Sequence, residues 1–278
     1  MKLKKKAIWL IKRHPLLYSV RFKLLSRNAT EADLDDDYYQ VQNDVKDIPE
    51  RFHETNRQIF PSGRPESDLE CCKQISIWVC KHLMKGPGLS KSSSEALNIM
   101  LQGKGGICSD MAQVFNNYCL LNGVKVREWG VIRIPLDDTY GGHAYNEVFC
   151  TTLNKWILFD PFWCVYFSNT DGTPLSVVEF YKTVRKGENI ERHNFYHIAY
   201  LPKDDYEKNY FHPHNVPFLV CNYSNTVYDF ALNRFHAYLP IFVIHFMIFI
   251  LGKSYHYKFP LDNFRMLFEN KAKTIKAE

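Results

Sequence analysis

The stretch Gly105-Gly106-Ile107-Cys108-Ser109-Asp110-Met111-Ala112 decides how this chain is read. Two glycines close an irregular segment. From Cys108 onward, apolar residues recur at helical spacing (Met111, Phe115, Tyr118, Leu121) until Gly123. Cys108 is therefore expected at the start of a helix. A helix start presents unpaired N–H groups and partial positive charge, which favour a thiolate over a thiol. The glycines keep side chains out of the approach, so a substrate backbone can come close. The Cys108 backbone N–H is then one candidate oxyanion donor.

Working outward, Ser67 to Glu70 reads as a capping box that opens a helix. This helix carries Leu69, Cys72, Ile75, Val79 and Leu83, and is closed by Gly86-Pro87. A second box, Ser92 to Glu95, opens a shorter helix that ends near Gly103. After Gly123 the period changes to two. Val124, Val126, Ile132 and Ile134 indicate a strand, with a bulge expected near Trp129-Gly130. Two more strands follow at Ala144–Phe149 and Trp156–Phe159, joined by a short loop. Ser176 to Glu179 opens a helix through about Arg185. Helices first and an antiparallel sheet second, with one helix delivering a cysteine to the sheet, is an α+β arrangement.

His143 follows Gly141-Gly142 at the start of a strand, and Asp160 ends the strand after next. If these strands pair, both residues meet at one end of the sheet, where Asp160 can orient an imidazole that faces Cys108. Taken singly, each residue has a plain explanation. A cysteine at a helix start is usually a small buried residue, a histidine at a strand start is usually structural, and Asp before Pro usually marks a turn.

Together they carry a resemblance. Gly105–Ala112 resembles the G-x-C-x-x-x-A motif of the transglutaminase-like superfamily, and Gly123-Val124-Lys125-Val126-Arg127 its G-(I/V)-x-(A/V)-R segment. His143-Ala144-Tyr145-Asn146-Glu147-Val148 is similar to H-A-W-x-E-V, and Trp156-Ile157-Leu158-Phe159-Asp160-Pro161 to W-x-x-x-D-P. The order is the family's, and the similarity covers roughly residues 65–165. Tyr145 replaces the usual Trp, a change that leaves the candidate triad intact.

The resemblance implies a papain-like transglutaminase core in a stand-alone member of the bacterial type. Cys108, His143 and Asp160 would be its catalytic triad, performing acyl transfer on an amide or ester with water or an amine as acceptor. Two residues are candidates for the second oxyanion donor: Gln102, six positions before the cysteine, and Trp78. The alternative is a catalytically idle binding or scaffold protein at the membrane surface. No cofactor and no metal are expected, because His193, His197, His212 and His214 bring no further ligands at a recognisable spacing. The acyl donor is expected to be a peptide, or a glycan- or lipid-linked molecule.

Charge divides the chain. Residues 1–27 hold nine Lys and Arg and no acid, so the remaining 251 residues sum to −4 within a net +5. The cations are interleaved with Ile8, Trp9, Leu10, Ile11, Leu16, Leu17 and Phe22. That mixture favours an anionic membrane surface over nucleic acid, which is not expected as a partner. The eight cysteines and the absence of a signal-peptide pattern indicate a cytoplasmic protein, peripheral on the inner face of the membrane. Leu239–Leu251 is a thirteen-residue apolar run, too short to span a bilayer, and is expected as a buried or interfacial helix. The expected divisions are a basic apolar arm over 1–30, a catalytic domain over 31–200, and a C-terminal extension over 201–278.

Overall fold

A computed structural model describes residues 20, 22–35, 39–134, 137, 140–197, 203–221, 224–253 and 256–265. Its elements run in the order β1 (Ser26–Asn28), α1 (Glu50–Ile59), α2 (Asp68–His82), α3 (Ser93–Leu101), α4 (Cys108–Leu121), β2 (Val126–Arg133), β3 (His143–Cys150), β4 (Lys155–Asp160), β5 (Val165–Ser168), α5 (Val177–Lys186), β6 (Glu191–Asn194), α6 (Lys203–Tyr210), β7 (Asn215–Cys221), α7 (Asn225–Phe235), α8 (Ile241–Ile250) and β8 (His256–Phe259). The fold is α+β and papain-like, with helices on an eight-stranded, mostly antiparallel sheet.

Local chemistry sets the helix starts. The hydroxyls of Ser67, Ser92 and Ser176 accept from the backbone N–H of Glu70, Glu95 and Glu179 at 3.3, 3.4 and 3.2 Å. At α5, Glu179 returns a carboxylate to Ser176 N at 2.7 Å, completing a capping box. Each such cap typically contributes about 1 kcal/mol.

The strands are ordered β1-β8-β7-β2-β3-β4-β5-β6, and all neighbours are antiparallel except β1 with β8. Helices α2, α3 and α4 cover one face, where Ile75, Met100, Phe115 and Tyr118 pack on Val126, Val148, Ile157 and Phe159. The opposite face, with Trp129, Tyr145, Leu158 and Phe167, is covered by Phe180 of α5 and Tyr206 and Tyr210 of α6. Full burial of each large apolar side chain stabilises by about 1.5–3 kcal/mol, so both faces contribute to the core.

Strand β2 differs from expectation. It is continuous through Trp129-Gly130, pairing Trp129 with Tyr145 on one side and with Leu219 on the other. Gly130 is there for space rather than for a bulge: a Cβ at that position would lie 2.3 Å from the Phe218 ring.

The outer divisions also need correction. Residues beyond 200 do not form a separate extension, because β7 lies in the middle of the sheet beside β2 and β8 lies beside β7. At the other end, Phe22 and Leu25 are buried in the main core and β1 pairs with β8, so residues 22–28 belong to the same core and sheet. The sheet draws strands from both ends of the described chain.

Two motif residues, Arg127 and Glu147, turn out to be structural. They stand opposite each other on β2 and β3, both buried, with Arg127 Nη1 3.4 Å from Glu147 Oε2. The same carboxylate accepts from Trp129 Nε1 at 3.0 Å and from Val177 N at 2.9 Å, tying α5 to the sheet. Arg127 also donates to Leu34 O. Burial pushes the Glu147 carboxyl up, while Arg127 and the N–H donors pull it back.

Candidate active site

Cys108 is the first residue of α4, as its sequence setting requires. The turn ahead of it is held by Asp110, whose Oδ2 accepts from Ile107 N at 3.0 Å and from Leu89 N at 3.1 Å. Gly105 and Gly106 adopt φ of +131° and +132°, a region closed to most L-residues. A Cβ on Gly106 would also lie 2.4 Å from Met100 Sδ. Backbone bonds from Gly86 N to Gly106 O (2.8 Å) and from Gly106 N to Pro87 O (3.1 Å) hold the 84–90 loop beside this turn. The sulfur is left half-buried at the surface.

The α4 helix is fixed to the sheet by buried amides. Asn146 of β3 donates to Asn116 Oδ1 at 2.7 Å and to Ala112 O at 3.3 Å. Asn116 in turn donates to Glu128 Oε2 at 2.7 Å. These bonds set the height of Cys108 against the strand that carries His143.

His143 opens β3 and Asp160 closes β4. The register pairs Asn146 with Phe159, so Asp160 falls across from Tyr145, one side chain in from His143 on the same face. His143 Nε2 lies 2.5 Å from Asp160 Oδ2. Cys108 is the ring's other electrostatic partner. Burial alone would strip the His143 proton. The charges of Asp160 and Cys108, with hydrogen bonds to both, outweigh it and lift the imidazolium to about 10.

Asp160 is fully buried, yet each of its oxygens is satisfied. Oδ1 accepts from Phe162 N at 2.7 Å and from Trp163 N at 3.3 Å. Oδ2 receives Tyr210 Oη–H as well as His143. Tyr210 ends α6, is itself fully buried, and places its hydroxyl 3.4 Å from His143 Nε2. Burial and the Asp160 charge keep the phenol protonated well above its ordinary range, so it serves Asp160 as a donor. Sequence reasoning passed over Tyr210, because nothing near it in the chain points to the site.

The loop after Asp160 forms one wall. Phe162 meets His143 edge-on at 6.1 Å between ring centroids. Lys85 lays its ammonium 4.2 Å from the centroids of both Phe162 and Trp163. Tyr145, in the usual Trp position, lies 5.9 Å from His143 and stacks on Tyr210.

The two candidate oxyanion donors make contacts of their own. Gln102 is exposed at the C-cap of α3, and its Oε1 accepts from Lys104 Nζ at 2.8 Å. Trp78 packs in the main core against Tyr118 and His82. Three of the histidines considered above as ligands make other contacts. His193 hydrogen-bonds Ser168 Oγ at 2.7 Å and stacks on Tyr166, and His212 packs against His214.

Residues 55–161 match the family model of the transglutaminase-like superfamily. This part of the chain is a transglutaminase-like core. It contains Cys108, His143 and Asp160 and all four motifs, and the match fits a cysteine-based catalytic role. Tyr210 lies beyond it. A solved structure of a candidate cysteine protease from Cytophaga hutchinsonii is similar at 17% identity and a TM-score of 0.34, over 48% of this chain and 45% of that one. The chain thus spans less than half the length of that protein. No curated protein matches the sequence.

Proposed function

We propose that this protein is a cysteine enzyme of acyl transfer, with Cys108 as nucleophile, His143 as acid and base, and Asp160 as the group that holds the imidazole. One observation carries the reading: a single buried ring, His143, is hydrogen-bonded through Nε2 to a fully satisfied carboxylate and has Cys108, at the start of α4, as its other electrostatic partner.

The chemistry follows from where the proton rests. A His143 imidazolium that persists to about pH 10 carries the proton shared with the sulfur. Cys108 Sγ attacks the acyl carbon, and the developing oxyanion falls near the unpaired N–H groups of the α4 start. His143 then delivers its proton to the leaving amine or alcohol as the carbon–heteroatom bond breaks, leaving a thioester on Cys108. The neutral imidazole next takes a proton from the acceptor, water or an amine. That acceptor displaces the sulfur, and the ion pair is restored. Asp160 stabilises the imidazolium and fixes which nitrogen faces the sulfur.

Whether water or an amine completes the cycle depends on how dry the thioester pocket is kept, and the core is compatible with either acceptor. The test is direct. The protein is incubated with an activated acyl ester and its intact mass is followed. An acyl adduct that maps to Cys108 and is absent from Cys108→Ser is expected. An adduct of equal extent in that variant contradicts the reading.

A further inference from the structure

We infer that α8 and the helical turn at residues 20–25 form a docking surface for an anionic lipid membrane. Helix α8, Ile-Phe-Val-Ile-His-Phe-Met-Ile-Phe-Ile, has no polar face. Its one polar residue, His245, is buried together with Ile244 and Ile248, on the side that packs on Ala231 and Leu232 of α7. The other side meets solvent. Phe246 is 40% exposed, Ile250 66% and Leu251 72%, and beside them Val20 is 39% and Leu24 46% exposed.

These residues form one surface. A cavity of about 140 Å³ lies between the two segments, lined by Val20, Leu24, Leu25, Phe242, Val243 and Phe246. Single exposed apolar residues are ordinary on a protein surface, whereas a contiguous group marks a site of contact.

The charge carried by the same stretch of sequence selects the occupant. Val20 and Leu24 belong to the stretch of residues 1–27, which holds nine Lys and Arg and no acid. Lys253 follows the exposed end of α8. Exposed apolar side chains continuous in sequence with a run of cations match a surface that is anionic outside and hydrocarbon within. Ten helical residues extend roughly 15 Å, about half the hydrocarbon thickness, so α8 lies along such a surface. Among the described residues no helix is long and apolar enough to cross a membrane.

The test uses the full chain with sedimented vesicles of phosphatidylcholine, alone or mixed with phosphatidylserine. Binding to the mixed vesicles, weakened but not abolished by salt, is expected, because screening removes the charge contribution and leaves the apolar one. Lys4, Lys5 and Lys6 changed together to Gln should weaken low-salt binding by about a hundredfold, at about fivefold per cation. Ile250→Asp with Leu251→Asp should remove the binding that survives salt. Both side chains are exposed, and circular dichroism melting checks that the variant is folded. The proposal is overturned if the full chain ignores mixed vesicles at low salt, as it would if residues 1–19 covered the surface. Equal binding to phosphatidylcholine alone overturns it as well. So does a dimer in solution that the Ile250→Asp and Leu251→Asp variant dissociates, which would assign the face to a second copy.

Discussion

Tyr210 donates its hydroxyl hydrogen to Asp160 Oδ2, the same oxygen that receives His143 Nε2. The tyrosine comes from α6, outside the transglutaminase-like core at 55–161, so a residue beyond the core helps to fix the carboxylate within it. A hydrogen bond to a charged group contributes about 1.5–3 kcal/mol. Tyr210→Phe should therefore lower kcat about ten- to a hundredfold with KM nearly unchanged, since Tyr210 positions a group and does not touch the sulfur. A variant that raised KM alone would place Tyr210 in substrate binding instead.

Asp160→Asn removes the charge that holds the proton on His143 while leaving an oxygen to accept from Phe162 N and Trp163 N. Turnover should fall by about 10³–10⁴-fold, with the melting temperature changed little by comparison. Steady-state rates and thermal melts of the same preparation check both halves. A loss below tenfold would show that Asp160 is only a structural anchor for its loop.

The buried Arg127–Glu147 pair gives a stability prediction that is independent of the chemistry. Removing one partner strands the other charge, and Trp129 Nε1 and Val177 N also lose their acceptor. Glu147→Ala should cost about 3–5 kcal/mol in denaturant unfolding. A cost under 1 kcal/mol would mean that water enters and replaces the carboxylate.

His143 also predicts a pH dependence. Its folded value, about 10, lies above the ordinary histidine value near 6.5, so the native state holds an extra proton between the two. The stabilisation from the protonated ring is fully present below about pH 6.5 and is lost as pH rises through about 10. The stability advantage of the wild type over His143→Gln should accordingly shrink across that window, as read by urea unfolding at several pH values. An advantage that stays constant would place the His143 proton outside this linkage.

Much of the site was legible because its signals are local. Ser67, Ser92 and Ser176 are N-caps with a Glu three residues on, and Gly105-Gly106 precede a helical period, so α2 to α5 could be placed from the chain alone. The change from period 3.6 to period 2 after Gly123 exposed β2, β3 and β4. Strand β7 escaped because Asn215–Cys221 is buried at every position, and a strand covered on both faces shows no alternation. Tyr210 escaped for a different reason: it reaches Asp160 across fifty residues of sequence, a contact that only the packing of α6 on the sheet creates.

The most direct measurement is the alkylation of Cys108 by iodoacetamide near neutral pH, mapped by peptide mass and compared between the wild type and His143→Ala. Six of the eight thiols are buried, and burial pushes Cys71 up to about 12, so Cys80 is the natural internal control. It is half-buried like Cys108, but its sulfur donates to Pro161 O at 3.1 Å. If Cys108 is the nucleophile paired with His143, it is labelled first, and His143→Ala slows that labelling at least tenfold while leaving Cys80 unchanged. Labelling of Cys80 ahead of Cys108, or a Cys108 rate indifferent to His143, would contradict the account.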